Sequence, residues 1–275
     1  MKYEAEFSSY KNWLDGQEKS KTTKEKNLRD VEKFRAFCRQ NLETITKQHV
    51  QDYKEYLIAN KYKPASINSY LISLNNFLKF ANQDSLRVKT LKIQGRASLN
   101  NVLTELEYAV LLEAAKNRKN KRLYYLIRTI TSGGIRIGEL QYITTDMLEN
   151  GKTFVHIKGK TREIIIPQQL CRELWEYCKE RQINGVIFHG RNNNTLIDKA
   201  YIWREMKALA KEAGVPEAKV YAHNFRHFFA KQFMAEYHDI VDLADILGHT
   251  SIETTRIYTR TSRQEKQERI NALNL

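Results

Sequence analysis

Apolar residues recur at helical spacing along most of this chain, and that period restricts the fold to helices with very little sheet. Within residues 22–39, Leu28, Val31, Phe34 or Arg35, and Cys38 fall near a 3.6-residue repeat. Val50, Tyr53 and Leu57 repeat the pattern, as do Ile67, Tyr70 or Leu71, Leu74 and Leu78. Pro64 signals a helix start, with Lys63 before it extended. Residues 1–82 are therefore predicted to form an all-α helical bundle with a basic, polar exterior.

The period lapses over residues 83–101, QDSLRVKTLKIQGRASLNN, which carry Gly95 and several basic residues and read as a linker. Thr104 and Glu107 then make a T-x-x-E capping box ahead of Val110, Leu111 and Ala114. Leu123, Leu126, Ile127 and Ile130 mark another helix. Residues 153–157 and 163–166 are β-rich and flank a short turn, Lys158-Gly159-Lys160-Thr161, which predicts a hairpin. Residues 186–188 are a candidate third strand, and helices are predicted over about 198–213, 222–236, 239–247 and 251–271. The expected fold is mainly α, with a small antiparallel β-sheet confined to a second domain over 102–275.

Lys and Arg number 46 against 32 Asp and Glu, a formal net charge of +14. Such an excess attracts a polyanion, with nucleic acid the first candidate and an anionic membrane the second. No stretch approaches the roughly 18 consecutive apolar residues of a membrane span. The opening, MKYEAEFSSYKNWLD, has acidic residues and no apolar signal-peptide core, so a cytoplasmic protein is expected. Cys38, Cys171 and Cys178 are too few and too far apart for a disulfide framework or a zinc cluster; Cys171 and Cys178 read as buried small apolar residues.

Cutting a phosphodiester without a metal demands cationic donors on the non-bridging oxygens, a nucleophile with a base, and an acid for the departing oxygen. Arginine suits the first task because its planar fork donates two parallel bonds and keeps its charge. YAHNFRHFFA sets His223 and Arg226 three apart on one helical face, with His227 beside them as a structural residue. LGHTSIETTRIYT follows with His249 and, nine residues on, Tyr258; upstream, TSGGIRIGEL places Arg136 just after a glycine pair, near a helix start. Each residue taken alone has a bland reading: a solvated charge, a packed histidine, a core tyrosine.

Taken together these segments resemble the tyrosine recombinases, or phage integrases. TSGGIRIGEL is similar to that family's T-G-x-R-x-x-E-L box, HNFRHFFA to H-x-L-R-H-x-F-A, and LGHTSIETTRIYT to L-G-H-x-x-x-x-T-x-x-Y. VHIKGKTREIIIP resembles the hairpin that carries a catalytic lysine, either Lys158, which ends the first strand, or Lys160 in the turn. The likeness spans about 102–262, and the helical first 82 residues look like the family's SAM-like core-binding domain. Departures are the Gly133-Gly134-Ile135 run before Arg136 and Phe225 in place of the usual Leu.

The resemblance implies a site-specific DNA recombinase. Tyr258 forms a 3′-phosphotyrosyl bond and frees a 5′-hydroxyl. Arg136 and Arg226 clamp the non-bridging oxygens, and His249 adds a hydrogen bond. His223 is acid or base on the tyrosine oxygen, Lys158 protonates the leaving oxygen, and Glu139 supports the site or makes only a surface ion pair. No metal, ATP or other cofactor is required. Both domains wrap double-stranded DNA as a C-shaped clamp, with Arg87, Lys89, Lys92 and Arg96 of the linker and Lys160 and Arg162 of the hairpin near phosphates. The tail SRQEKQERINALNL, with apolar Ile270, Leu273 and Leu275, docks on a neighbour in a tetramer on two DNA sites, or folds back on its own domain. The resemblance is to an Xer-like system without an arm-binding domain, serving mobile-element integration, inversion or dimer resolution. The alternatives are a type IB topoisomerase and a non-catalytic DNA-binding regulator.

Overall fold

The computed structural model describes residues 2–38, 44–92, 101–157, 160–190, 195–259, 267 and 270–273, without the side chains of 2–5, 157 and 160. The chain divides into two compact units, Met1–Arg96 and Ala97–Leu275.

In the first unit lie α1 (Lys2–Asp15), α2 (Lys21–Phe37), α3 (Lys47–Ala59) and α4 (Pro64–Phe80). Caps fix the helix starts. The Ser20 hydroxyl accepts from the Thr23 amide, and Thr46 and His49 cap each other reciprocally. Pro64 opens α4 from an extended Lys63 with ψ 137°. The inward stripes meet in one core of Tyr10, Leu14, Val31, Phe34, Val50, Tyr53, Leu57, Ile67, Leu71, Leu74, Phe77 and Leu78. Beyond a 3-10 turn at Asp84–Leu86 the backbone is pinned to α4. Asn75 exchanges two hydrogen bonds with Val88 (2.9 and 3.1 Å), and Asn68 two with Leu91 (2.9 and 2.7 Å). Leu86, Val88 and Leu91 pack on the same core, so this part of the stretch read as a linker lies along the bundle.

In the second unit α5 (Glu105–Asn117) starts at the reciprocal Thr104–Glu107 cap. It is followed by α6 (Arg122–Gly133), 3-10 turns at Ile137–Tyr142 and Asp146–Leu148, and the antiparallel strands β1 (Lys152–Ile157) and β2 (Lys160–Ile165). Then come α7 (Gln168–Arg181), α8 (Lys199–Glu212), α9 (Ala222–Tyr237), α10 (Ile240–Leu247) and α11 (Ile252–Thr255). Register pairs Thr153 with Ile164 and Val155 with Arg162. The fold is thus mainly helical with one small antiparallel hairpin. The core runs from Leu111, Leu126, Ile127 and Ile130 through Val155 and Ile164 to Leu174, Phe188, Leu209 and Phe225, and takes in Cys171 and Cys178.

Two predicted elements come out differently. The candidate strand at 186–188 is reduced to a single bridge, Thr144 to Val186. The helix predicted over 251–271 is interrupted: it stops at Thr255 and tightens into a 3-10 turn, Arg256–Thr259, while residues 267, 270 and 271 are helical as predicted. Thr254 and Thr255 are poor helix formers, and the buried Thr255 hydroxyl is engaged by His249 instead. Residues 260–266, 268–269 and 274–275 lie outside the described residues. Among the described residues no helix is long and apolar enough to cross a membrane.

Candidate active site

The C-terminal end of α10 organises the site. A helix leaves its last carbonyls without intrahelical partners, and its dipole makes that end partly negative, so cations are favoured there. Three successive carbonyls are taken by three guanidiniums from distant parts of the chain. Ile246 O accepts from Arg162 Nη1, Leu247 O from Arg226 Nη2 at 2.7 Å, and Gly248 O from Arg136 Nη2 at 3.2 Å. Gly248, at φ +60°, turns the chain away so that these oxygens stay open; a Cβ there would lie 2.4 Å from Arg162 Cδ.

A second glycine delivers Arg136. Gly134 has φ +56°, and a Cβ on it would sit 2.5 Å from the Phe229 ring. The turn after α6 sets Arg136 at the start of the 3-10 turn Ile137–Tyr142. There the Glu139 carboxylate accepts from the Arg136 amide at 2.6 Å and from Arg136 Nη1 at 3.0 Å. Glu139 is only 1% exposed, which removes the surface ion-pair reading. It also takes Arg162 Nη2 at 2.5 Å and Nε at 3.3 Å. Burial pushes the Glu139 carboxyl up, but Arg162, the Arg136 amide and the Arg136 guanidinium outweigh it and hold the group below its ordinary value.

Arg226 is 1% exposed. Its Nη1 donates to Gly134 O at 2.5 Å, its Nη2 reaches His249 Nε2 at 3.1 Å, and its Nε has no partner among the described residues. Burial, then the charges of Arg136 and Arg162, push its pKa down to about 9, still protonated at neutral pH. His249 Nδ1 meets Thr255 Oγ1 at 2.8 Å; with Nε2 accepting from Arg226, the network assigns the proton to Nδ1. Burial and the neighbouring Arg226 lower His249 to about 4. Two guanidiniums, Arg136 and Arg162, therefore share one carboxylate, and the third and most buried, Arg226, rests on neutral acceptors, so positive charge exceeds negative in the cluster.

Tyr258 is carried in by the turn after α11 and packs against the buried cluster of Ala230, Leu243 and Leu247. Its Oη lies 2.5 Å from His227 Nδ1. Burial pushes the phenol up to about 12 against the pull of Arg226. His223 is exposed, and its ring stands 4.4 Å from that of His227 at 74°. Loss of solvent around its ring on the site side, then Arg226 and Arg136, hold His223 below the ordinary imidazole value.

Of the residues singled out in the sequence, Arg136 with Glu139 and Arg226 with His249 form two bonded pairs, both anchored on the end of α10, and Tyr258 and His223 adjoin Arg226 through His227. Lys158 lies outside the described residues, as do Arg96 and the side chain of Lys160. Arg87, Lys89 and Lys92 are exposed on the first unit, Arg87 with Asp84 at 2.8 Å. Arg162, expected near phosphates on the hairpin, turns inward with its side chain 10% exposed. Strand parity carries the signal for that: Arg162 shares a face with the buried Ile164 and stands opposite the buried Val155. His227, read as structural, stands one helical turn past His223 and touches the phenol.

The phage integrase family model matches residues 101–265, and the phage integrase N-terminal SAM-like domain matches 7–84. Tyrosine recombinase XerA of Pyrococcus furiosus is 29% identical over 98% of this chain and 93% of its own length. Tyrosine recombinase XerC of Rickettsia typhi is 30% identical over 81% of this chain and 80% of its own. A crystal structure of XerA recombinase covers 99% of both chains at 26% identity with TM-score 0.53. The chain belongs to the phage integrase family, the tyrosine-type site-specific recombinases.

Proposed function

We propose that the chain binds double-stranded DNA and cleaves one strand by attack of Tyr258 on a phosphate gripped by Arg136 and Arg226, leaving a 3′-phosphotyrosyl bond and a free 5′-hydroxyl. A second 5′-hydroxyl then reseals it, which conserves the bond energy and makes recombination possible without ATP. The carrying observation is the cluster at the end of α10, where positive charge exceeds the single Glu139 carboxylate. A non-bridging phosphate oxygen placed there meets donors already aimed, and the charge that develops in the transition state meets no reorganisation cost. Lys158, next to the end of β1, is assigned to protonate the leaving 5′-oxygen. Solved relatives support DNA as the ligand, among them XerH bound to its difH substrate, at 23% identity, TM-score 0.66, 85% of this chain and 72% of that one. Work on DNA supports a cytoplasmic location for the chain.

Contacts from Arg87, Lys89, Lys92, Arg96 and Lys160 to phosphates position the duplex more than they read it. Arg162 contributes from inside, by sharing Glu139 with Arg136. The active form is a tetramer on two DNA sites, joined through the C-terminal tail. Ile270 and Leu273 are 61% and 57% exposed, and α9 borders a groove of about 440 Å³ lined by Phe229, Phe233 and Tyr237. An apolar tail segment of a neighbouring copy suits such a groove.

The test is a nicked duplex drawn from a random-sequence library by its retention on the protein. The wild type is expected to form a denaturant-stable adduct with no added metal or nucleotide. Tyr258→Phe is expected to retain the duplex and form none. Adducts at wild-type yield on the Phe variant remove Tyr258 from the nucleophile role.

A further inference from the structure

We propose that His227, not His223, takes the proton of Tyr258 during strand cleavage and returns it during rejoining. This rests on Tyr258 being the nucleophile. Among the described residues, the hydrogen bond made by Tyr258 Oη is to His227 Nδ1, at 2.5 Å. His223 is one turn earlier on α9, its ring packed edge-on against His227 at 4.4 Å. It thus meets the phenol's partner, and no bond from it to the phenol is present among the described residues.

Helix geometry explains the division of work. Arg226 and His227 are consecutive on α9, so their side chains diverge by about 100°. Arg226 reaches the carbonyls of Gly134 and Leu247, while His227 reaches across to the turn that follows α11. One helical segment therefore supplies both the phosphate clamp and the partner of the nucleophile. A shift of α9 would move both together.

The charges around the pair set the direction of transfer. His227 neighbours His223, Arg226 and Tyr258, and burial, then His223 and Arg226, lower it to about 4. With the phenol raised to about 12, the resting proton stays on oxygen and Nδ1 accepts. When Oη bonds to phosphorus, the phenolic oxygen becomes strongly acidic. The O–H bond breaks, an N–H bond forms at Nδ1, the Oη–P bond forms and the P–O5′ bond breaks, with O5′ protonated by a separate acid. The imidazolium formed stands close to the incoming phosphate, whose negative charge compensates it. Rejoining runs the same transfer backwards: imidazolium returns the proton as the phenol departs.

The discriminating variant is His227→Asn, whose amide oxygen can accept a hydrogen bond near the position of Nδ1 but has no useful basicity. Adduct formation on the nicked, library-selected duplex is followed from pH 5 to 9 at saturating protein. We expect unchanged duplex retention, a rate lower by about 10²–10⁴-fold, and a rate that rises about tenfold per pH unit as hydroxide replaces the imidazole. The wild type stays flat above pH 5.5. A His227→Asn rate equal to wild type, or a slower but equally flat profile, overturns the proposal. The ¹⁵N shift of His227 Nδ1 in the unmodified protein gives a test that needs no variant: an unprotonated Nδ1 at neutral pH is required, and a protonated one contradicts transfer to that atom. Tyr258→Phe in the same assay keeps the two readings apart. An adduct on that variant defeats the nucleophile, whereas its absence together with wild-type kinetics in His227→Asn defeats only the proton acceptor.

Discussion

Each unit buries a charged side chain, and the two do so in opposite ways. In the N-terminal bundle Asp30, 3% exposed, is answered by the Lys26 ammonium and by Ser73 Oγ at 2.9 Å, so the group is neutralised and bonded. In the catalytic unit Arg226, 1% exposed, rests on two backbone carbonyls and a neutral imidazole, with Nε unpartnered among the described residues. The first arrangement is complete without a ligand. The second carries positive charge that its own neutral partners do not balance. Burial of charge alone therefore does not mark a functional site; the mark is a buried charge whose partners are all neutral.

The largest expected effect tests the one carboxylate that balances this second site. Glu139→Ala leaves Arg136 and Arg162 facing each other without their shared acceptor, and should cost about 3–5 kcal/mol of stability in the catalytic unit, read by denaturant unfolding. Next, Arg226→Met should slow adduct formation by about 10²–10³-fold, as loss of an oxyanion donor does. It should also abolish any rise in unfolding temperature produced by inorganic phosphate, a rise present in the wild type if the cluster lacks an anion. Asp30→Ala sharpens the contrast. It should cost about 1–3 kcal/mol in the bundle by stranding Ser73, while the cleavage rate of bound duplex stays unchanged.

Smaller again is the response to acid. Unfolded histidine titrates near 6.5, and His227 and His249 are lowered to about 4 in the fold. Between those values the unfolded chain binds more protons. This contribution to stability is therefore fully present above about pH 6.5 and lost as pH falls toward 4, measurable as a falling denaturation midpoint. The smallest effect belongs to the exposed basic stretch: Lys89→Ala should weaken duplex retention and reduce the log–log salt slope by about 1, with cleavage of bound DNA unaffected.

Much of this was legible in the sequence. The apolar period located most of the helices, though not α1 or α7, the β-rich runs located the hairpin, and the spacing of His223, Arg226, His249 and Tyr258 marked the candidate site. What escaped is instructive in physical terms. Composition treats Arg162 as a hairpin charge, yet period-two alternation places it on the face of Ile164, and only Glu139 and the end of α10 make that burial affordable. The lapse of apolar period after Gln83 suggests a linker, but asparagine side chains on α4 hold residues 88 and 91 by their backbone, a bond that hydropathy does not record. The break at Thr255 is likewise a hydrogen-bond choice, hydroxyl to His249, over continued helix. His227 escaped because its partner lies 31 residues away across a turn that local periodicity reads as helix.

The most direct measurement is to digest the adduct formed on the nicked duplex and locate the nucleotide-bearing peptide by mass spectrometry. The DNA remnant is predicted on the phenolic oxygen of Tyr258, joined to a 3′-phosphate. A remnant on any other side chain, or a 5′-linked one, contradicts the assignment of this tyrosine to the clamp formed by Arg136 and Arg226.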